Sequence, residues 1–174
     1  MKEEPDRVSL AVELFMQGFN CAQAVTAAFA DLYGLNREQA LRVSASFGGG
    51  IGHMREVCGA ASGMFILAGL DCGSSTPGDR AGKRYNYEVV QQLAARFREQ
   101  NGSIICGELL GLRPMGSQGI MPHRQDESAE PAERTQEYYR RRPCAAMVAS
   151  GARIFSEYLQ NKAESFPNNV KTAD

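Results

Sequence analysis

Five cysteines, Cys21, Cys58, Cys72, Cys106 and Cys144, are the residues of this chain best suited to chemistry. No CxxC, no CxxCH and no Cys–His pair at zinc-finger spacing occurs among them, so thioredoxin-like, c-type haem and zinc-ribbon motifs find no local footing. Scattered single cysteines ordinarily serve as small buried hydrophobes. Four of the five share a more specific setting. Cys21 follows Asn20, Cys58 follows the glycine-rich run Phe47-Gly48-Gly49-Gly50-Ile51-Gly52, Cys106 follows Ser103, and Cys144 follows Pro143. Each place reads as the start of a helix, where unpaired backbone N–H groups and the positive end of the helix dipole favour thiolate over thiol. Cys72 lies past a helix end, about 20 Å from Cys58 along a continuous helix, and is excluded from the set.

Four converging helix starts would bring four thiolates into one positive field. Three chemistries use such a set. An iron–sulfur cluster on Cys21, Cys58, Cys106 and Cys144 is the leading expectation, because all-thiolate ligation is usual for such clusters. A reactive pair in a thiol–disulfide oxidoreductase or redox sensor is the second, with glycine-flanked Cys58 as the candidate attacking thiol. A structural four-cysteine zinc site is the third, in a protein whose function lies elsewhere.

The elements that must position these thiols are helical. Asp6 and Pro5 open a first helix with an apolar stripe at Val8, Ala11, Val12 and Phe15, and Gly18 ends it. Asn20 caps a second, with Val25, Ala28, Phe29 and Leu32 as its apolar face and Gly34 as its stop. Asn36-Arg37-Glu38-Gln39 forms a capping box for a third, running to about Ser46. A fourth spans Glu56 or Cys58 to Leu70, a fifth Arg80 to Gln100, and a sixth, capped by Ser103, Ile104 to Leu110. Pro143 and Cys144 open the last, with a stripe of Val148, Gly151, Ala152, Phe155 and Leu159. No segment of strand period is long enough to use, so the fold class is all-α. The expectation is a single domain over 1–174, a bundle of about six to seven helices with its core at about 6–163, a flexible loop at about 111–131 and a frayed tail at 166–174.

The glycine loop is no phosphate cradle: Gly48, Gly50 and Gly52 do not match GxGxxG, no strand leads in and no lysine follows. It supplies close backbone approach near Cys58 instead. His53 in that loop reads as a solvated histidine rather than a ligand, and His123 in the 111–131 loop is assigned nothing. Arg140-Arg141-Arg142 reads as a solvated face, with a docking patch for an acidic partner as the alternative.

At 174 residues with net charge −1 and pI about 6.2, the chain gives no reason to expect nucleic acid or an anionic membrane as partner. The longest uncharged run, Val57 to Leu70, is too short for a bilayer crossing of about 20 residues. Its charged N-terminus lacks an apolar signal region, and the expectation is a soluble, cytoplasmic protein without membrane insertion.

Cys58-Gly59-Ala60-Ala61-Ser62-Gly63 reads CGAxxG, and Cys21 in Phe-Asn-Cys-Ala-Gln-Ala-Val, Cys106 in Gly-Ser-Ile-Ile-Cys-Gly-Glu-Leu-Leu-Gly, and Cys144 follow the same order as in a known family. Over residues 8 to 160 the chain resembles the C-GCAxxG-C-C family of redox-active proteins. That resemblance implies a helical protein in which these four cysteines form the site, with Cys72 outside the pattern. It also implies association with a transporter; a redox partner protein is expected but not named, and homodimer formation is left open.

Overall fold

The computed structural model describes residues 6–116 and 128–165. The central part of the expected 111–131 loop, His123 with it, and the 166–174 tail lie outside the described residues. Among the described residues the chain forms eight α-helices: α1 (Arg7–Met16), α2 (Cys21–Ala27), α3 (Arg37–Ser44), α4 (Gly59–Cys72), α5 (Arg80–Asn101), α6 (Cys106–Leu109), α7 (Gln136–Arg141) and α8 (Cys144–Ser165). Short 3₁₀ turns follow α2 (Ala30–Tyr33) and α3 (Ala45–Phe47). The fold is all-α. No described helix is long and apolar enough to cross a membrane.

Local chemistry fixes most helix starts. Asn20 Oδ1 accepts from the Gln23 N–H at 3.0 Å while Gln23 Oε1 accepts from the Asn20 N–H at 3.0 Å, and Asn36 and Gln39 repeat this reciprocal cap at 2.9 and 3.0 Å. Asp6 caps α1 through the N–H groups of Val8 and Ser9. The second helix is shorter than its stripe suggests: it yields to the 3₁₀ turn after Ala28, which rotates Leu32 outward to 48% exposure. The polar stretch before Arg142 contains a helix that its composition hides, α7, capped by Thr135.

Helix α4 is the axis of the bundle, with α2, α5 and α8 packed around it and α1 laid across α2 and α8. It is apolar nearly all round; Gly59 to Met64, Leu67 and Ala68 are all buried. Its small residues serve close packing. A Cβ on Gly63 would stand 2.9 Å from Val25 Cβ, and one on Gly151 of α8 would stand 3.1 Å from the Ala60 carbonyl oxygen. Around this axis Phe15, Phe29, Phe97, Phe155, Met64 and Leu67 fill the core, Phe29 meeting Phe155 edge to face at 5.1 Å. Because the starts of α2, α4, α6 and α8 gather at one end of the bundle, the residues at those starts face one cavity.

Candidate functional site

A cavity of about 280 Å³ at this end is lined by Cys21, Cys58, Cys106 and Cys144 together. Three devices bring the thiols there. An antiparallel β-bridge pairs Val57 with Ile105; the Cys58 N–H donates to the Ile104 carbonyl at 2.7 Å and the Cys106 N–H to the Glu56 carbonyl at 2.6 Å. That bridge sets Cys58 and Cys106 side by side at the starts of α4 and α6. Gly59 then lets α4 approach α2: a Cβ there would lie 3.1 Å from Cys21 Cβ and 3.0 Å from the Ala22 nitrogen. Finally, Cys21 and Cys144 meet across the starts of α2 and α8, where each acts on the other's proton. Cys21, Cys106 and Cys144 are first residues of their helices, while Cys58 is the N-cap of α4. Cys72 is placed elsewhere, near the end of α4, where its thiol donates to the Ala68 carbonyl at 3.2 Å.

The glycine loop wraps the second wall. Gly49, Gly50, Ile51, Gly52 and His53 have φ between 55° and 74°, a run of left-handed backbone, and Arg55 follows at 63°. For Ile51, His53 and Arg55 this conformation costs about 1–2 kcal/mol each, most severely for β-branched Ile51. Hydrogen bonds from Gly52 to Ser46 (2.7 Å), Arg55 to Gly49 (3.1 Å) and Glu56 to Gly50 (2.9 Å) close the turn and hold the strain. Gly50 touches the site itself, since a Cβ on it would fall 2.6 Å from Cys106 Cβ.

What the turn presents is Arg55, only 8% exposed. Its Nη2 donates to His53 Nε2 at 2.7 Å. Arginine is always a donor, so His53 carries its proton on Nδ1 and donates it to the Ser128 carbonyl at 2.8 Å. His53, expected as a solvated loop residue, is half-buried and tied on both sides. The same Arg55 lines the cavity with Cys106, and its charge favours the Cys106 thiolate.

Two more arginines line the cavity. Arg134 lies over the rings of Phe15 and Tyr138, 4.7 Å from each centroid, and its Nη2 donates to the Phe19 carbonyl at 3.3 Å. Its Nη1 is buried and, among the described residues, has no hydrogen-bond partner. Arg142 also lies over the Tyr138 ring, 4.8 Å from its centroid. Only this member of the arginine triplet lines the cavity; Arg140 and Arg141 are exposed and pair with Glu137. Among the described residues, none of Arg55, Arg134 and Arg142 forms an ion pair with a carboxylate.

These charges divide the thiols. The interaction with Cys21, aided by Arg142, Arg134 and Arg55, brings Cys144 down to about 7 against the opposing effect of burial. The same interaction, with burial and the neighbouring thiols, pushes Cys21 well above the ordinary range. Burial and the proximity of Cys106 push Cys58 up to about 12, although the Ala60 and Ala61 N–H groups favour its thiolate. Cys106 is raised by burial, and Arg55 offsets part of that rise. Cys144 is therefore the thiol whose thiolate is accessible near neutral pH.

An anionic metal–thiolate centre suits this donor set. Four soft sulfur ligands, three cations without described counter-charges and an orphan guanidinium donor all call for negative charge in the cavity. Among the described residues, no group of three or more His, Cys, Asp or Glu is set to hold a single metal ion.

The sequence was compared with known proteins. A family model described as "Putative redox-active protein (C_GCAxxG_C_C)" matches residues 19–158. No curated protein and no solved structure matches.

Proposed function

This chain belongs to the C_GCAxxG_C_C family of redox-active proteins, and we propose that it transfers single electrons through an iron–sulfur cluster held by Cys21, Cys58, Cys106 and Cys144. One observation carries the reading: four thiols from four helix starts line a cavity that also receives three arginines lacking described carboxylate partners. When bound, a cluster supplies a one-electron couple. The chain's own residues do the rest. The β-bridge and Gly59 fix the spacing of three sulfurs, and the N–H groups of Ala60 and Ala61 point towards Cys58, which favours the more negative, reduced state. Arg55, Arg134 and Arg142 offset the negative charge that four thiolates bring. A mononuclear zinc site has less behind it, because tetrahedral zinc needs close donors and no such group of three is found among the described residues.

A second reading rests on the pair Cys21 and Cys144, which share one cavity and shift each other's proton in opposite directions. In it, the Cys144 thiolate attacks a disulfide of a target protein, and one target sulfur leaves as thiolate. Cys21 then displaces the second, so the target gains two electrons and the pair becomes a disulfide. Cys144 takes the attacking role here in place of Cys58, whose proton is held to about pH 12.

Anaerobic purification tests both. A brown protein with iron and acid-labile sulfide supports the cluster. Stoichiometric zinc without iron refutes both redox readings, and a colourless, metal-free protein that loses two thiols on mild oxidation selects the dithiol.

A further inference from the structure

We infer that Arg55 is the tuning residue of the thiol cavity: a buried guanidinium, pinned by His53 on a left-handed turn, that sets the charge beside Cys106 and with it the potential of the centre. The inference rests on the cluster reading and deepens it.

Three independent features single this residue out. Its backbone is part of the site's frame, because the Gly107 N–H donates to the Arg55 carbonyl at 3.0 Å and a Cβ on Gly50 would lie 2.8 Å from the Arg55 carbonyl carbon. The side chain cannot swing away, since one arm of the guanidinium is bonded to His53 and His53 is itself bonded to Ser128. Arg55 shares the cavity wall with Cys106, and its charge favours the Cys106 thiolate. A buried cation with no described carboxylate partner is unfavourable unless the cavity carries negative charge. The left-handed non-glycine residues Ile51, His53 and Arg55 add local strain, and strain of this kind persists where the surroundings over-determine it. Both costs are explained if the turn exists to hold a cation against the sulfurs. Arg134 and Arg142 contribute charge to the same cavity, but only Arg55 sits on the turn that Gly50 presses against Cys106.

A positive charge next to a cluster favours its more negative, reduced state. Removing it makes reduction by an external donor harder.

The test compares wild type, Arg55→Gln and Arg55→Lys, each loaded with iron and sulfide and titrated with dithionite under optical and EPR detection. For Arg55→Gln, the ratio of reduced to oxidised centre at fixed potential falls about tenfold, a shift of about 59 mV for one electron. Arg55→Lys keeps the charge but loses the fork, and falls about threefold. Equal iron content with an Arg55→Gln potential unchanged from wild type overturns the inference while leaving the cluster intact. Should Arg55→Gln not fold, as judged by circular dichroism, an unchanged potential in Arg55→Lys overturns it instead. If wild type takes up no iron and sulfide, the cluster reading fails and this inference with it, whereas equal loading with an unchanged potential overturns the inference alone.

Discussion

Gly50→Ala and Gly52→Ala make a matched pair that tests how closely the left-handed turn is pressed onto the thiol site. Both glycines have positive φ, 74° and 55°, so alanine at either meets the same left-handed penalty of about 1–2 kcal/mol. Reduced freedom of the unfolded chain returns about 0.4–1 kcal/mol at both. Their surroundings differ. A Cβ at Gly52 has nothing within 4 Å, whereas one at Gly50 would meet Cys106 Cβ at 2.6 Å, the Glu56 nitrogen at 2.7 Å and the Arg55 carbonyl carbon at 2.8 Å. Two of those three atoms are backbone and cannot rotate aside. Forced overpacking costs about 1–3 kcal/mol, which places Gly50→Ala about 2 kcal/mol below Gly52→Ala. For a chain of this size the gap is about 4–8 °C in Tm. The assay is thermal and urea unfolding of the metal-free, reduced proteins followed by circular dichroism. Equal stability of the two variants would refute the close approach at Cys106 and the frame built on it.

Three further outcomes follow from where the five cysteines stand. In metal-free protein the Cys144 alkylation rate rises with a midpoint near pH 7, against 9.0 for an ordinary cysteine, and a midpoint at the ordinary value contradicts the shared proton with Cys21. Because the folded value is depressed, the Cys144 contribution to stability is present above pH 9 and lost as pH falls through 7; raised Cys21, Cys58 and Cys106 cost stability only above pH 9. Urea midpoints of the metal-free protein should therefore rise between pH 7 and 9 and fall beyond, and a flat profile would count against the coupled pair. Cys72→Ser leaves the visible spectrum and iron content unchanged, since Cys72 bonds Ala68 near the far end of α4; loss of the centre in this variant would show that the four thiols were wrongly chosen.

Much of the scaffold was legible because its signals are local. Both Asn–Gln capping boxes act between residues three apart, and Gly34 and Gly102 adopt the left-handed caps that end their helices. The helix start at Cys21 follows from such neighbours; α8 begins one residue later than the proline suggests, at Cys144 itself, and α6 begins at Cys106 rather than Ile104, with Ile105 and not Ser103 at its N-cap. What was hidden depends on contacts distant in sequence. The β-bridge between Val57 and Ile105 is a single pair, too short to leave an alternating pattern. Arg55 looks like any loop arginine until the left-handed turn buries it, and a run of that hand at Ile51 and His53 contradicts their intrinsic preferences. Helix α7 has no apolar stripe; its order comes from the Thr135 cap and from Tyr138 and Tyr139 packing around Arg134. In α5 tertiary packing decides between adjacent valines, burying Val89 fully and Val90 only in part.

The four thiols stand at sequence intervals of 37, 48 and 38 residues, each on a different helix. A growing chain therefore exposes Cys21, Cys58 and Cys106 well before it can supply the fourth wall. Helices α1, α2, α4 and α5, which carry most of the buried apolar core, all precede α8, and the docking of α8 against α1 and α4 brings Cys144 to Cys21. Any occupant bridging all four sulfurs is thus installed after nearly the whole chain has been made. Once installed, it ties three long loops shut and withdraws their freedom from the unfolded chain, as a set of cross-links would. Loss of such an occupant would release the two halves of the polypeptide from each other as well as emptying the cavity.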